Sequence, residues 1–147
     1  MKSYRTRKNQ AAYNKYRAAL PLDAPCVFCT VKKGDDQFIS ESKHFKVIHN
    51  RFPYDSWDGH KVAEHIMIVP KQHTDTLKDL SFLESKEYVV MISNFEFDGY
   101  NIYARTPGSN TKTIIHQHTH LIKFVPKAAP RTLLLRTKRL AKLPLPR

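Results

Sequence analysis

Three histidines at alternate positions, His116, His118 and His120, are the residues of this 147-residue chain best placed to do chemistry. Ile114, Ile115, Ile122 and Val125 surround them, a composition that predicts a β-strand. Residues two apart on a strand share a face, so the three imidazoles are expected in a row on one surface. Imidazole can ligate a metal, move a proton or act as a nucleophile. The plainer alternative is a metal-scavenging surface tract or a purification-tag fragment. Against it, the run is internal and stands 27 residues from the C-terminus.

The second candidate cluster is Cys26-Val27-Phe28-Cys29, the chain's only two cysteines. Two thiolates at this spacing can chelate one ion through a tight turn, and zinc would need two further ligands. A redox motif of the thioredoxin kind expects a helix starting at the cysteines, whereas Lys32-Lys33-Gly34 predicts a turn. Two free buried thiols are the remaining alternative. So few cysteines exclude a disulfide framework and fit a reducing, cytoplasmic setting.

The length fits one domain with a real core. No apolar run approaches a membrane span, and the basic N-terminus lacks the apolar core of a secretion signal. The net charge of +12 is uneven. Residues 1–20 hold six Lys/Arg and residues 123–147 hold eight, both without an acid, which leaves 21–122 close to neutral. Basic ends of this kind suit a polyanion such as nucleic acid, or serve only as solvated tails. The expected organisation is a basic N-terminal extension over 1–22, a folded domain over 23–126 and a basic tail over 127–147.

The elements that must position the histidines follow from local pattern. Residues 9–20 are Ala-rich and predict a short helix stopped by Pro21. Gln37–Glu41 and His44–His49 predict an antiparallel pair turning at Ser42-Lys43, and His65–Val69 predicts a strand entering a Pro70-Lys71 turn. Between them, Tyr54–Glu64 reads as a long connection whose Trp57 could stack on a base or cover the core edge. Ser81 to Glu84 has capping-box spacing, so a helix is expected over about Phe82–Ser93, with Leu83, Tyr88 or Val89, and Ile92 buried. Tyr100–Arg105 predicts the next strand. Thr106–Thr111 is a polar turn; Ser109 and Asn110 in it, with Lys112 and Thr113 just after, could hold phosphate oxygens, or the segment is an ordinary hydrophilic hairpin. Gln117 and Thr119 are polar where a core-facing residue is expected, so that face is either wet or internally hydrogen-bonded. Arg131–Leu143 predicts a basic amphipathic helix or a disordered tail.

The run His116-Gln117-His118-Thr119-His120-Leu121-Ile122 resembles the signature of the histidine-triad (HIT) family, and His65–His73, with Pro70-Lys71, is similar to that family's upstream strand and turn. The resemblance covers roughly residues 26 to 125. It implies an α+β fold: a mostly antiparallel sheet of about five strands with helix on one face. It implies a nucleotide-binding hydrolase or nucleotidyltransferase that attacks an α-phosphorus, and a homodimer built on a helix longer than the one predicted here. By the same resemblance zinc is held by Cys26, Cys29, His73 and His116, and His65 answers to the family's Gly-His position better than His60. Asn50 stands near the family's ribose-binding position, and Asn101 ahead of its nucleotide loop. Asn50 followed by Phe52-Pro53-Tyr54 is also similar to the dinucleoside-polyphosphate phosphorylase branch. Thr111 and Lys112 replace the family's usual Gly-Gln, and Lys123-Phe124 its Pro-Arg.

The implied mechanism makes His118 the nucleophile, His120 the phosphate contact, and His116 either a relay or a zinc ligand. Candidate substrates are a phosphoramidate, a dinucleoside polyphosphate or an adenylated nucleic-acid end. The competing class is a non-catalytic nucleic-acid-binding protein on the same scaffold with basic arms.

Overall fold

The computed structural model describes residues 4–126. The expected basic tail over 127–147, with its amphipathic helix, lies outside the described residues. The element order is α1 (Arg7–Ala19), α2 (Val27–Thr30), β1 (Phe38–Glu41), β2 (Phe45–His49), β3 (Ser56–Trp57), β4 (His60–Pro70), a 3-10 turn (Leu77–Asp79), α3 (Phe82–Phe97), β5 (Asn101–Ala104) and β6 (Thr119–Phe124). The strands form an antiparallel sheet in the order β1-β2-β4-β6-β5, and the two-residue β3 pairs with the start of β4.

Alternation along the strands divides the core between the two sheet faces. Phe45, Val47, Ile66, Ile68 and Leu121 face α3, where Tyr88, Met91, Ile92 and Phe95 cover them. Phe28, Val31, Ile48, Met67 and Val69 cluster on the opposite face, beside the histidines. The capping box forms as expected: the Ser81 hydroxyl accepts from the Glu84 N–H, and the Glu84 carboxylate accepts from the Ser81 N–H.

Several local expectations are corrected. The α3 helix runs four residues past Ser93, and the stripe it packs on the sheet, partly buried, is Tyr88-Met91-Ile92-Phe95, while Leu83 and Val89 are exposed. Leu83 lies in the first turn of the helix. The 54–64 connection is a tight hairpin turning at Asp58-Gly59, both at positive φ. Trp57 stacks on Tyr54 with ring centroids 5.4 Å apart and also touches Tyr4 and Tyr103, so it covers the core edge. One helical turn, α2, does start at the cysteine pair, with Cys26 as its N-cap.

The histidine run is only partly strand. Regular pairing begins at Thr119, which stands opposite Ile68 and Ala104. Upstream, β5 has ended and Pro70 offers no N–H to continue a ladder, so His116–His118 arrive as extended chain. That chain is pinned by the Gln117 N–H donating to the Thr74 carbonyl at 2.6 Å.

α1 packs on the domain. Its Thr6 N-cap accepts from the Asn9 N–H. The Thr6 N–H and the Asn9 amide both donate to Asp55. Tyr13 and Tyr16 rest on Phe52, and Tyr13 donates to the Thr113 hydroxyl at 2.7 Å.

Candidate functional site

Each histidine of the run has a ring orientation fixed by its neighbours. His118 Nδ1 lies 2.8 Å from the His116 carbonyl oxygen. A carbonyl only accepts, so Nδ1 carries the proton and Nε2 keeps its lone pair. Burial pushes the His118 imidazole down to about 4, with Lys112 and Arg105 adding repulsion against the carbonyl's opposing effect, so the ring is neutral at pH 7.

His120 is set by a relay that starts on the backbone. The Tyr54 N–H donates to His65 Nδ1 at 3.0 Å, so His65 carries its proton on Nε2. That nitrogen lies 2.9 Å from His120 Nδ1 and donates to it. His120 must then carry its own proton on Nε2, the one buried side-chain nitrogen or oxygen among the described residues that lacks a partner. A buried donor without an acceptor is costly and marks a place for a ligand atom. Burial, with repulsion from neighbouring histidines and arginines, holds His120 well below its ordinary pKa, and burial foremost takes His65 to about 3.

His116 is turned away from this pair. Its Nε2 donates to the Pro70 carbonyl at 3.0 Å, which leaves Nδ1 3.4 Å from the sulfur atoms of both Cys26 and Cys29. His73 Nδ1 lies 3.3 Å from Cys29 Sγ, and the four ligand atoms all lie within 4.8 Å of one another. A tetrahedral zinc with bonds of about 2.3 Å to sulfur and about 2.0 Å to nitrogen sets S···N edges of roughly 3.5 Å. The quartet fits a metal of that kind in distance, donor type and tautomer. Both ring nitrogens of His116 are thus engaged, Nε2 by the Pro70 carbonyl and Nδ1 by the two cysteine sulfurs.

The other candidates distribute as follows. Asn50 lines the cavity, with its carbonyl oxygen held by the Phe52 N–H and its amide beside His65. Thr113 also lines it. Lys112 does not: its ammonium is buried against the Asp75 carboxylate at 2.7 Å and donates to Gln117 Oε1 at 2.8 Å. Gln117 is thereby bonded internally, as is Thr119 through the Tyr88 hydroxyl at 2.7 Å. Ser109 bonds the Thr111 hydroxyl and stands outside the lining. Asn101 shares the sheet face of His120 but sits at the far end of β5, donating to the Ile122 carbonyl.

Sequence reasoning missed Arg105, which donates to the Tyr54 hydroxyl at 3.0 Å and to Thr111 at 2.6 Å and lines the cavity. The two-residue spacing of Asn101, Tyr103 and Arg105 was the available signal. It also missed the part played by His65 and the wall that α1 supplies through Tyr13, Tyr16 and Arg17.

A neutral imidazole whose Nε2 keeps its lone pair, a buried N–H without a partner and a metal-type quartet are thus gathered on this antiparallel sheet. No protein-family model matches the chain. The adenosine 5′-monophosphoramidase HNT1 of Saccharomyces cerevisiae is 31% identical over 113 residues, 74% of this chain and 68% of that one. Solved structures share the fold. A HIT family hydrolase from Legionella pneumophila superposes with a TM-score of 0.51 at 18% identity, over 74% of this chain and 98% of that one. A zinc-bound histidine triad family protein from Mycobacterium smegmatis gives 0.52 at 22% identity, over 79% and 91%. The chain belongs to the histidine-triad (HIT) family of nucleotide hydrolases.

Proposed function

We propose that the protein hydrolyses a nucleoside 5′-phosphate conjugate at the α-phosphorus through a nucleotidyl-His118 intermediate. The observation that supports this most is the pairing of tautomers: His118 Nε2 holds a free lone pair, and His120, which lines the same cavity, has a buried Nε2–H without a partner. In the first step the His118 Nε2 lone pair forms a bond to phosphorus while the bond to the leaving group breaks. The leaving group takes the bonding electrons. The proton stays on His118 Nδ1, donated to the His116 carbonyl oxygen, and His120 Nε2–H donates to a phosphoryl oxygen as negative charge grows there. In the second step water oxygen bonds to phosphorus, the P–N bond breaks, and the water proton passes to solvent. His118 returns neutral.

Zinc is the metal that the donor set favours, held by Cys26, Cys29, His73 and His116. When bound it serves as a structural clamp with four protein ligands. Its effect on catalysis runs through the chain: it fixes His116, whose carbonyl oxygen orients His118. The same reading gives the ribose hydroxyls to Asn50, supported by its position in the cavity lining.

The test is turnover of adenosine 5′-monophosphoramidate, a dinucleoside tetraphosphate and a 5′-adenylated oligonucleotide by the wild type and His118→Ala. Release of nucleoside monophosphate by the wild type alone supports the proposal. No turnover of any of them by metal-replete protein overturns it.

A further inference from the structure

The sequence offers Lys112 as the cation for a phosphate, but Asp75 and Gln117 take up its buried ammonium. The sheet supplies another. β5 and β6 pair Tyr103 with His120 and Ala104 with Thr119. The same ladder, carried one residue further, sets Arg105 across from His118. Residues two apart on a strand share a face, and opposed residues on antiparallel strands are side-chain neighbours. The Tyr103 ring stacks on His120 with centroids 5.9 Å apart, and the rings of His118 and His120 lie 4.9 Å apart. Arg105 therefore continues the face of Tyr103 at the level of His118.

The surroundings of Arg105 agree with that placement. It is half-buried and lines the cavity with His118 and His120. Its positive charge is felt at both rings, where it is one of the repulsions that keep them neutral. Three hydroxyls hold the guanidinium: Nη2 donates to Tyr54 at 3.0 Å, and Nη1 donates to Thr111 at 2.6 Å and to Tyr103 at 3.3 Å. These acceptors are neutral, so they fix the group without cancelling its charge. They use three of the five guanidinium N–H groups and leave two, Nε–H among them, for a ligand. The described residues that line the cavity include no Asp or Glu. Arg5, Arg17 and Arg51 also line it, but none of them stands on a strand of the sheet.

We propose that Arg105 is a catalytic residue whose guanidinium binds the non-bridging oxygens of the scissile phosphoryl group and offsets the charge that grows there as the His118 Nε2–phosphorus bond forms and the leaving-group bond breaks. This rests on the nucleotidyl-His118 reading for the position of the phosphorus. His120 Nε2–H brings one oriented neutral donor, and Arg105 adds a fixed charge with paired donors. Because Tyr54, Tyr103 and Thr111 hold the group beforehand, it needs no reorganisation during the reaction.

The experiment uses the zinc-loaded full chain and adenosine 5′-monophosphoramidate, comparing the wild type with Arg105→Gln and Arg105→Lys, with zinc content and Tm measured for each. Arg105→Gln keeps a hydrogen-bonding side chain and loses the charge, so kcat is expected to fall about 100- to 1000-fold while KM stays within about threefold. Arg105→Lys restores the charge without the fork and is expected between the two. A kcat for Arg105→Gln within about fivefold of the wild type, a loss carried by KM alone, or a Lys variant no better than the Gln variant overturns the proposal. A measurement on the wild type covers a variant that does not fold. The guanidinium ¹⁵N signals of Arg105 should shift with saturating AMP and stay in place with adenosine. No shift with AMP, or the same shift with both, overturns it as well. Mapping the adduct keeps the two readings apart. Wild-type turnover without an adduct on His118 overturns the nucleotidyl-His118 reading, and the AMP shift then decides for Arg105 by itself. A wild-type adduct that forms as fast in Arg105→Gln overturns the role of Arg105 alone.

Discussion

The relay from Tyr54 through His65 to His120 can be cut at either end with one substitution at His65. Asn and Gln each imitate one imidazole nitrogen. Asn places a carbonyl near the Nδ1 position, where it can still accept from the Tyr54 N–H, but its amide stops short of His120. Gln reaches the Nε2 position and can donate to His120 Nδ1, but leaves the Tyr54 N–H without an acceptor. The two bonds at stake measure 3.0 Å and 2.9 Å, and His65 is only 4% exposed, so water does not readily replace either. Each variant should lose about 1–3 kcal/mol of stability, the cost of one unsatisfied buried polar group. Their activities should diverge. His65→Asn releases His120 from its Nε2–H tautomer and removes an oriented donor, which costs about 100- to 1000-fold in kcat. His65→Gln keeps the tautomer and should stay within about tenfold of wild type. Steady-state kinetics at pH 7.5 gives the ratio, and ¹⁵N chemical shifts of His120 read its tautomer directly. An Asn variant more active than the Gln variant, or a His120 protonated on Nδ1 in the wild type, would refute the reasoning.

Three further outcomes follow from the same structure. His65 is neutral in the folded protein down to about pH 3, whereas an exposed histidine protonates near 6.5. Below 6.5 the unfolded chain binds the extra proton, so stability should fall with acid between about 6.5 and 3, by up to ~1.4 kcal/mol per pH unit from this residue. Urea unfolding at pH 7 and pH 5 measures it, and a His65→Gln variant with an unchanged slope would contradict it. Elemental analysis should find one zinc per chain; chelation should lower the Tm by several degrees, and Cys26→Ser should reproduce that loss. Metal-free protein with an unchanged Tm would remove zinc from the account. Finally, α3 exposes Phe82, Leu83, Val90 and Phe97, and edge strand β5 exposes Ile102, an apolar face suited to a second copy of the chain. Light scattering should show a dimer that Val90→Asp converts to monomer, and a monomeric wild type would count against this face.

What the sequence made legible was periodic or local. The period-two histidines and the Ser81–Glu84 box carry their spacing within a few residues, whereas the grouping of Cys26 and Cys29 with the distant His73 and His116 came from the family resemblance, and the structure brings those four together while turning His116 away from His118 and His120. What it hid was set by tertiary partners. Lys112 reads as a phosphate-binding cation until Asp75, 37 residues away, is seen to bury it. Leu83 and Val89 fit a helical stripe, but the sheet meets α3 on the face of Met91 and Phe95. The strand at the histidines begins three residues later than the apolar pattern suggests, because its neighbours end at Pro70 and Ala104. The basic N-terminal residues read as an extension, yet α1 is fixed by Tyr13 and Tyr16 against Phe52 and becomes a wall of the cavity. None of those contacts leaves a repeat in the sequence. Among the described residues no helix is long and apolar enough to cross a membrane.

The central claim is that His118 Nε2 bonds to phosphorus. It is tested most directly by mixing wild-type protein with substrate, quenching in alkali within milliseconds, and mapping the modified peptide by mass spectrometry. The account predicts one nucleotidyl group on His118, absent from His118→Ala and formed no more slowly than kcat. Turnover with no adduct at any quench time, or an adduct on His120 with His118 unmodified, would contradict it.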